Sequence, residues 1–134
     1  MLLYFILLFY WTTPVQPGLE DLYKESVKLW APYHAFVGAV RWCEPAECTY
    51  LDNLNLLGYW DLDEKYSIII NVHGANYTEW EQQDLLLTLA HEYGHALGLK
   101  HVKGYAVMNP DWYFPVAYKP TEIDWNQLRS LYKP

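Results

Sequence analysis

A chain of 134 residues fits one domain, and it is long enough to bury a core without depending on a disulfide or a metal to fold. Its net charge of −7 argues against nucleic-acid binding, which requires a basic face, and against specific binding to an anionic membrane surface. The 13 tyrosines and 7 tryptophans favour an aromatic core, although such side chains also line clefts that hold peptides. We expect the protein to act as a monomer.

The chain opens with an unbroken apolar run, MLLYFILLFYW. The run is too short for a transmembrane helix, which needs about 20 residues, but it has the length of a signal-peptide core. No basic residue precedes it, and Thr12-Thr13-Pro14 is a poor cleavage site, so a buried N-terminal strand is the alternative. We treat residues 1–17 as a separate segment, a signal or an anchor. Residues 18–134 are the predicted domain, which we expect to be secreted or extracytoplasmic.

The first predicted helix has one apolar face and ends near Trp30, because Pro32 disfavours helix in the residue before it. A strand, HAFVGAVRW, follows, and Cys43 and Cys48 interrupt or end it. Their spacing is wider than that of a CxxC motif, which leaves a small disulfide closing a turn or two free buried thiols. We expect the disulfide if the compartment is oxidising.

The segment CTYLDNLNLLGYWDLDEKY is ambiguous, and we predict a weak strand or loop that leads to a turn at DLDEK. Asp61, Asp63 and Glu64 lack the alternating ligands of a calcium loop, which favours a solvated turn. The β-branched run SIIINV then predicts a strand.

Two further helices carry capping boxes, one formed by Thr78 and Glu81 and one by Thr121 and Asp124. The longer helix is predicted over 79–97 and stops at Gly98, since glycine readily adopts the left-handed conformation at a helix C-terminus. It has an apolar stripe, and a polar stripe that contains two histidines. The last helix is expected to bury Trp125, Leu128, Leu131 and Tyr132.

The run HEYGHALGLKH has the composition of a catalytic zinc site. His91 and His95 are four residues apart on one helix, so both imidazoles can bind one ion, and the turn at Gly98 lets His101 supply the third ligand. Three protein ligands leave one zinc position open for water. Glu92 follows the first ligand and is the expected general base for a metal-activated water that attacks a peptide bond.

The same run resembles the extended zinc signature of the metzincins. Met108, in AVMNP, is similar to the methionine turn beneath their zinc, although a buried methionine can also simply fill a gap in a core. Within that group the likeness is to matrixins, the matrix metalloproteinase group, to which Pro110, TEIDWNQLRSLY and KLWAPYHAF are also similar. The resemblance implies a zinc-dependent endopeptidase. It also implies an α+β zincin fold: a small twisted mixed sheet, a backing helix, an active-site helix and a C-terminal helix.

The chain also departs from matrixins. Val102 follows the third histidine where they usually have serine, and only a short loop separates SIIINV from the zinc helix. The long segment that carries their second, structural zinc and calcium is missing, so we expect one catalytic zinc alone. The chain shows no cysteine-switch propeptide.

By the same resemblance, substrate lies along an edge strand, assigned to SIIINV, and His73 to Tyr77 lie near the cleft, with His73 at its rim rather than on the metal. Pro110, Trp112 and Tyr113 are expected to line the pocket for the residue after the scissile bond, and their large apolar faces favour an apolar residue there. The alternative is that these aromatic residues pack against the last helix.

Two other functions compete with a general peptidase. One is a non-catalytic zinc module, which a fourth ligand from Cys43 or Cys48 would favour because structural sites are closed. The other is a peptidase whose role is lysis of a host cell or envelope, and the sequence does not separate its substrates from other proteins.

Overall fold

The computed structural model describes residues 13–63, 66–72, 79–111 and 116–132. Within these ranges the chain forms four helices and three short strands, consistent with the predicted α+β class. In chain order they are α1 (Glu20–Leu29), β1 (Ala39–Trp42), α2 (Pro45–Asn53), β2 (Gly58–Asp61), β3 (Ser67–Ile70), α3 (Glu79–Ala96) and α4 (Glu122–Leu131).

The strands form one mixed sheet in the order β1-β3-β2. β3 lies in the middle, parallel to β1 and antiparallel to β2, and all four of its residues are buried. The assignment of SIIINV as the edge strand is therefore wrong, and β2 is an edge strand instead. The physical reason is visible in the sequence, since a continuous apolar run is typical of a strand covered on both faces.

A short stretch of the N-terminal segment extends the sheet beside β1. Val15 forms a parallel bridge with Val40, and the Gln16 amide donates to the Val40 carbonyl at 2.9 Å. Residues 13–17 thus cover the outer edge of β1, while β2 lies at the opposite side of the sheet.

The main core lies between the sheet and two helices, α1 and α3. As predicted, α1 ends at Leu29, with Trp30 at its C-cap. The indole of Trp30 is fully buried and donates to the carbonyl of Ala90 in α3 at 2.9 Å. On the next turn of α3, the Tyr93 hydroxyl accepts a hydrogen bond from the Ala35 amide at 2.8 Å. Ala35 thus contacts a helix and not the sheet, and of the strand predicted over 34–42 only Ala39–Trp42 is formed.

The opposite face of the sheet is covered by α2. The weak strand or loop predicted for residues 48–66 is therefore wrong for the first part of that segment, which is helical, whereas β2 is a short strand in its later part. A capping box between Glu44 and Glu47, with Pro45 in the first turn, starts this helix. The expected disulfide is formed: it joins Cys43 to Cys48, whose Cα atoms lie 5.3 Å apart, and ties the first turn of α2 to the end of β1. These residues form a second small core, whose buried members are Cys43, Cys48, Leu51 and Ile69.

One ion pair strengthens the attachment of α2 to β1. The Nη1 and Nη2 atoms of Arg41 each lie 2.6 Å from one carboxylate oxygen of Glu47. The pKa of Glu47 is lowered to about 2, and its hydrogen bonds with Arg41 are the largest cause of that shift.

The capping box of α4, formed by Thr121 and Asp124, is confirmed. Leu128 is buried, but the expectation for Leu131 and Tyr132 is wrong, since both are about half exposed. Tyr132 instead extends over the end of α3, where its hydroxyl donates to the Leu97 carbonyl at 2.8 Å.

Several sequence-based predictions fall outside the described residues. They concern the apolar run of residues 1–11, the Thr78 capping box, the segment 73–77, and Trp112 and Tyr113 of the predicted pocket. In the part of the chain that is described, no helix is long and apolar enough to cross a bilayer.

Candidate metal centre

The helix α3 places two of the predicted ligands on one face. His91 and His95 are separated by one helical turn, and their rings lie 4.8 Å apart between centroids. The helix ends as predicted, with Gly98 at φ +99°, a conformation that glycine adopts without strain. The chain then turns back and brings His101 against the same two rings.

The three histidines fit a tetrahedral metal. The His101 Nε2 atom lies 3.1 Å from the Nε2 atom of His91 and 3.1 Å from that of His95. Nitrogens bound to zinc at 2.0–2.1 Å in tetrahedral geometry are about 3.3–3.4 Å apart. Both distances to His101 are therefore close to what zinc requires, and all three ligand atoms lie within 4.8 Å of one another.

Backbone carbonyls fix the orientation of both helix-borne rings. His91 Nδ1 lies 2.8 Å from the Val107 carbonyl, and His95 Nδ1 lies 2.8 Å from the Leu99 carbonyl. A carbonyl accepts only, so each Nδ1 carries the proton and each Nε2 presents its lone pair to the metal position. Burial lowers the pKa of His91 to about 4 and also lowers that of His95, which keeps both rings in the neutral, ligating form at pH 7.

Glu92 lies in the wall of the same cleft and is only 6% exposed. Burial raises the pKa of its carboxyl to about 8, and a hydrogen bond from the Trp60 backbone acts in the opposite direction. A carboxyl whose pKa is near neutrality can both accept and return a proton at physiological pH.

The predicted methionine turn packs directly beneath the zinc helix. Met108 is fully buried, and a Cβ atom at Gly94 would overlap its sulfur and lie 3.2 Å from the Trp30 indole. Glycine at this position of α3 therefore lets the turn approach the backbone between the two helix-borne histidines.

Asp124 supports this turn, a role that the sequence reasoning missed. The carboxylate is fully buried and accepts hydrogen bonds from the amides of Val107 at 2.9 Å, Met108 at 3.1 Å and Thr121 at 2.9 Å. The sequence marked Asp124 only as the second residue of a capping box, and its bonds to a turn 16 and 17 residues away carry no local signal.

A cleft of about 740 Å³ lies over the three histidines. β2 and the segment before it form a rim of this cleft. Pro110 also lines the cleft, while its assignment to the pocket for the residue after the scissile bond stays a prediction. The rim is held in place by Asn71, whose side-chain amide donates to the Leu56 carbonyl at 3.1 Å. β2 approaches α3 closely, since a Cβ atom at Gly58 would lie 2.9 Å from the Thr88 methyl group.

Neither cysteine is available as a fourth metal ligand. Cys43 and Cys48 are bonded to each other in the small core beneath α2. Across residues 13–63, 66–72, 79–111 and 116–132, the three histidines are the one cluster of at least three His, Cys, Asp or Glu side chains with the spacing of a metal site. A cysteine as fourth ligand would have favoured a closed structural zinc site, and no such ligand is found in the described part of the chain.

The model of the matrixin family matches residues 47–133, well over half of the chain. The chain belongs to the matrixin family. No curated protein matches the sequence. The match begins at Glu47 and covers the zinc helix, the methionine turn and the last helix, whereas the likeness of KLWAPYHAF to the first helix and strand of matrixins stays a prediction.

Membership of this family has two consequences for the protein. Matrixins are zinc peptidases, so the chain carries a zinc metallopeptidase-like domain whose three histidines could hold the metal ion. They are also typically extracellular, and the disulfide of this matrixin fits an oxidising compartment.

Proposed function

We propose that this matrixin is a zinc-dependent endopeptidase in which His91, His95 and His101 bind one zinc ion and Glu92 is the general base. The observation that carries the proposal is the position of Glu92, a buried carboxyl in the wall of the cleft that holds the three convergent Nε2 atoms. A zinc ion at such a site lowers the pKa of a bound water to about 7 and polarises a carbonyl group.

Glu92 accepts the proton of the attacking water and returns it to the amine that leaves. Its raised pKa, about 8 in the metal-free protein, favours the second half of this cycle. Glu92 lies with Trp60 in the lining of the cleft, next to the place where a peptide bond would lie.

The edge strand β2 offers backbone groups for an extended peptide. The Asn71 amide donates to the Leu57 carbonyl at 2.7 Å, so the polar groups of Leu57 face β3. Because successive residues of a strand direct these groups to alternate sides, those of Gly58 and Trp60 point away from β3 towards the cleft. Substrate would add a strand there, a common mode of peptide recognition.

The rim of the cleft favours apolar substrate residues. Leu56 and Leu62 are exposed apolar side chains of the lining, and Trp60 and Leu99 also line the cleft. We include Pro110 in the pocket for the residue after the scissile bond, together with Trp112 and Tyr113 by resemblance to matrixins. A medium or large apolar residue at that position is the expected preference.

We also propose that the protein acts as a monomer on peptide or protein substrates outside the cytoplasm. The disulfide and the family of the protein support this location. Mass spectrometry of the native protein under non-reducing conditions tests the disulfide that supports this location, and two alkylatable thiols would remove that support.

The decisive experiment compares the native chain with Glu92→Gln and with Glu122→Gln, which changes an exposed glutamate on α4. Each protein is loaded with zinc and given a mixed peptide library. Glu92→Gln should keep one zinc per chain and lose activity by about 10²–10⁴-fold, while Glu122→Gln should match the native chain. Equal hydrolysis by Glu92→Gln would place the base elsewhere. A zinc-loaded native chain without activity would instead favour the non-catalytic module.

A further inference from the structure

The third ligand, His101, differs from the other two in how it is held. His91 and His95 are fixed by a helix and by hydrogen bonds from Nδ1 to backbone carbonyls. His101 lies in the segment between Gly98 and Tyr105, which forms neither helix nor strand, and its side chain is exposed. Its position therefore depends on what anchors this segment.

One side chain of α4 grips the backbone immediately before His101. The Oε1 atom of Gln127 accepts a hydrogen bond from the Lys100 amide at 2.6 Å, and its Nε2 atom donates to the Lys100 carbonyl at 3.2 Å. A carboxamide carries one donor group and one acceptor side by side, so it pairs with both polar groups of a single residue as a neighbouring strand would. On the other side of His101, the Val102 amide donates to the Met108 carbonyl at 3.1 Å.

Gln127 belongs to a row of polar side chains, at the N-cap and along α4, that bind the backbone of residues 100–108, the segment that carries His101 and the methionine turn. Thr121, Asp124 and Gln127 are three residues apart, so they lie along one face of the helix. Thr121 donates to the Tyr105 carbonyl at 2.5 Å and Asp124 accepts from Val107 and Met108, while Gln127 holds the residue next to the ligand. The α4 helix thus acts as the outer support of the loop that carries His101.

We infer that Gln127 is a positioning residue for the third metal ligand: its two hydrogen bonds to the Lys100 backbone hold the His101 Nε2 atom at bonding distance from the metal position. The inference rests on the proposed zinc site but not on peptidase activity. Without the clamp, residues 99–101 sample more backbone conformations, and binding must order them again. Changing the groups that orient ligands typically weakens metal binding 10–100-fold, and we expect about tenfold because Gln127 acts through a neighbouring backbone.

The test measures metal affinity in the full chain for Gln127→Ala, Gln127→Glu and Ser130→Ala. Glu keeps an oxygen to accept from the Lys100 amide but loses the donor, so it should give an intermediate effect. Ser130 is an exposed residue of the same helix and supplies the control. Zinc affinity is measured by competition with a chromophoric chelator, and the geometry of the site by the visible absorption of the cobalt(II)-loaded protein.

We expect Gln127→Ala to bind zinc about tenfold more weakly and to show weaker, shifted cobalt bands, with Ser130→Ala like the native chain. A merely structural contact would lower the unfolding temperature and leave the cobalt spectrum unchanged. Affinity within twofold of the native value in both Gln127 variants, or an equal loss in Ser130→Ala, would overturn the inference. If Gln127→Ala does not fold, Gln127→Glu decides alone. A native chain that binds zinc but cleaves nothing would refute the proposed peptidase and leave this inference standing.

Discussion

The buried carboxylate of Asp124 offers the sharpest test of how the metal site is supported. We consider its replacement by alanine, which removes three hydrogen bonds and leaves the amides of Val107 and Met108 buried without a partner. A hydrogen bond to a charged group contributes about 1.5–3 kcal/mol. Counting only these two buried amides, because water can reach the half-buried Thr121, the free energy of unfolding should fall by about 3–6 kcal/mol.

A loss of this size is a large part of the total stability of a small domain, which is about 5–15 kcal/mol. Asp124→Asn keeps the shape of the side chain but turns one acceptor into a donor that faces an amide N–H. It should therefore cost roughly half as much. The matched control is Glu122→Ala, which removes an exposed ion pair with Arg129 and should change stability by about 1 kcal/mol or less.

Urea unfolding of the zinc-free proteins measures these differences directly, provided that the slope of the transition is unchanged. The zinc-loaded proteins should show a further loss in Asp124→Ala, because the Val107 carbonyl that orients His91 belongs to the same turn. If Asp124→Ala unfolds within about 1 kcal/mol of the native chain, the turn is held by other contacts and the reasoning is wrong.

Three further predictions follow from the same structure. In zinc-free Glu92→Gln, the free energy of unfolding should fall by about 3 kcal/mol between pH 6.5 and 4, because His91 takes up a proton in the unfolded chain but not in the folded one. The variant is used because the raised pKa of the Glu92 carboxyl would act in the opposite direction, and a urea midpoint that stays flat over this range would contradict the prediction. Reducing the disulfide, whose cysteines are five positions apart, should lower stability by about 2 kcal/mol, and an unfolding midpoint insensitive to reductant would refute this. Gly58→Ala should lower the free energy of unfolding by about 1–3 kcal/mol and raise KM, because the added methyl group displaces β2 from α3. Adding Thr88→Ser, which removes the opposing methyl group, should restore part of both losses, and no recovery would show that another contact limits the strand.

The features that could be predicted from sequence are those whose signal is local. The histidine ligands and Glu92 lie within eleven residues, and the helix period alone sets the relation of His91 to His95. The end of α3 at Gly98 and the capping box of α4 were read correctly for the same reason.

The helix α2 was missed although a signal was present. Its capping box uses Glu44, which is not among the preferred N-cap residues, and Asn, Asp and Leu residues obscure its C-terminal end. Its stability comes from packing, because Cys48 and Leu51 contact Ile69 of β3 in the small core. These residues are about twenty positions apart in the chain. Local propensity does not register such a contact, because tertiary packing supplies most of the stability of a short helix.

The supports of the metal site lay beyond sequence reasoning for a related reason. The ligands must lie on one helix and one turn, but the groups that orient them only need to be brought near by the fold. Val107 reaches His91 across 16 positions, Asp124 reaches Met108 across 16, and Gln127 reaches Lys100 across 27. None of these partners has a residue type that is specific to metal sites, and in each of the three contacts one of the two groups belongs to the backbone. A zinc signature therefore predicts the ion and the base, whereas the contribution that we infer for Gln127 of α4 to metal affinity lies outside the signature.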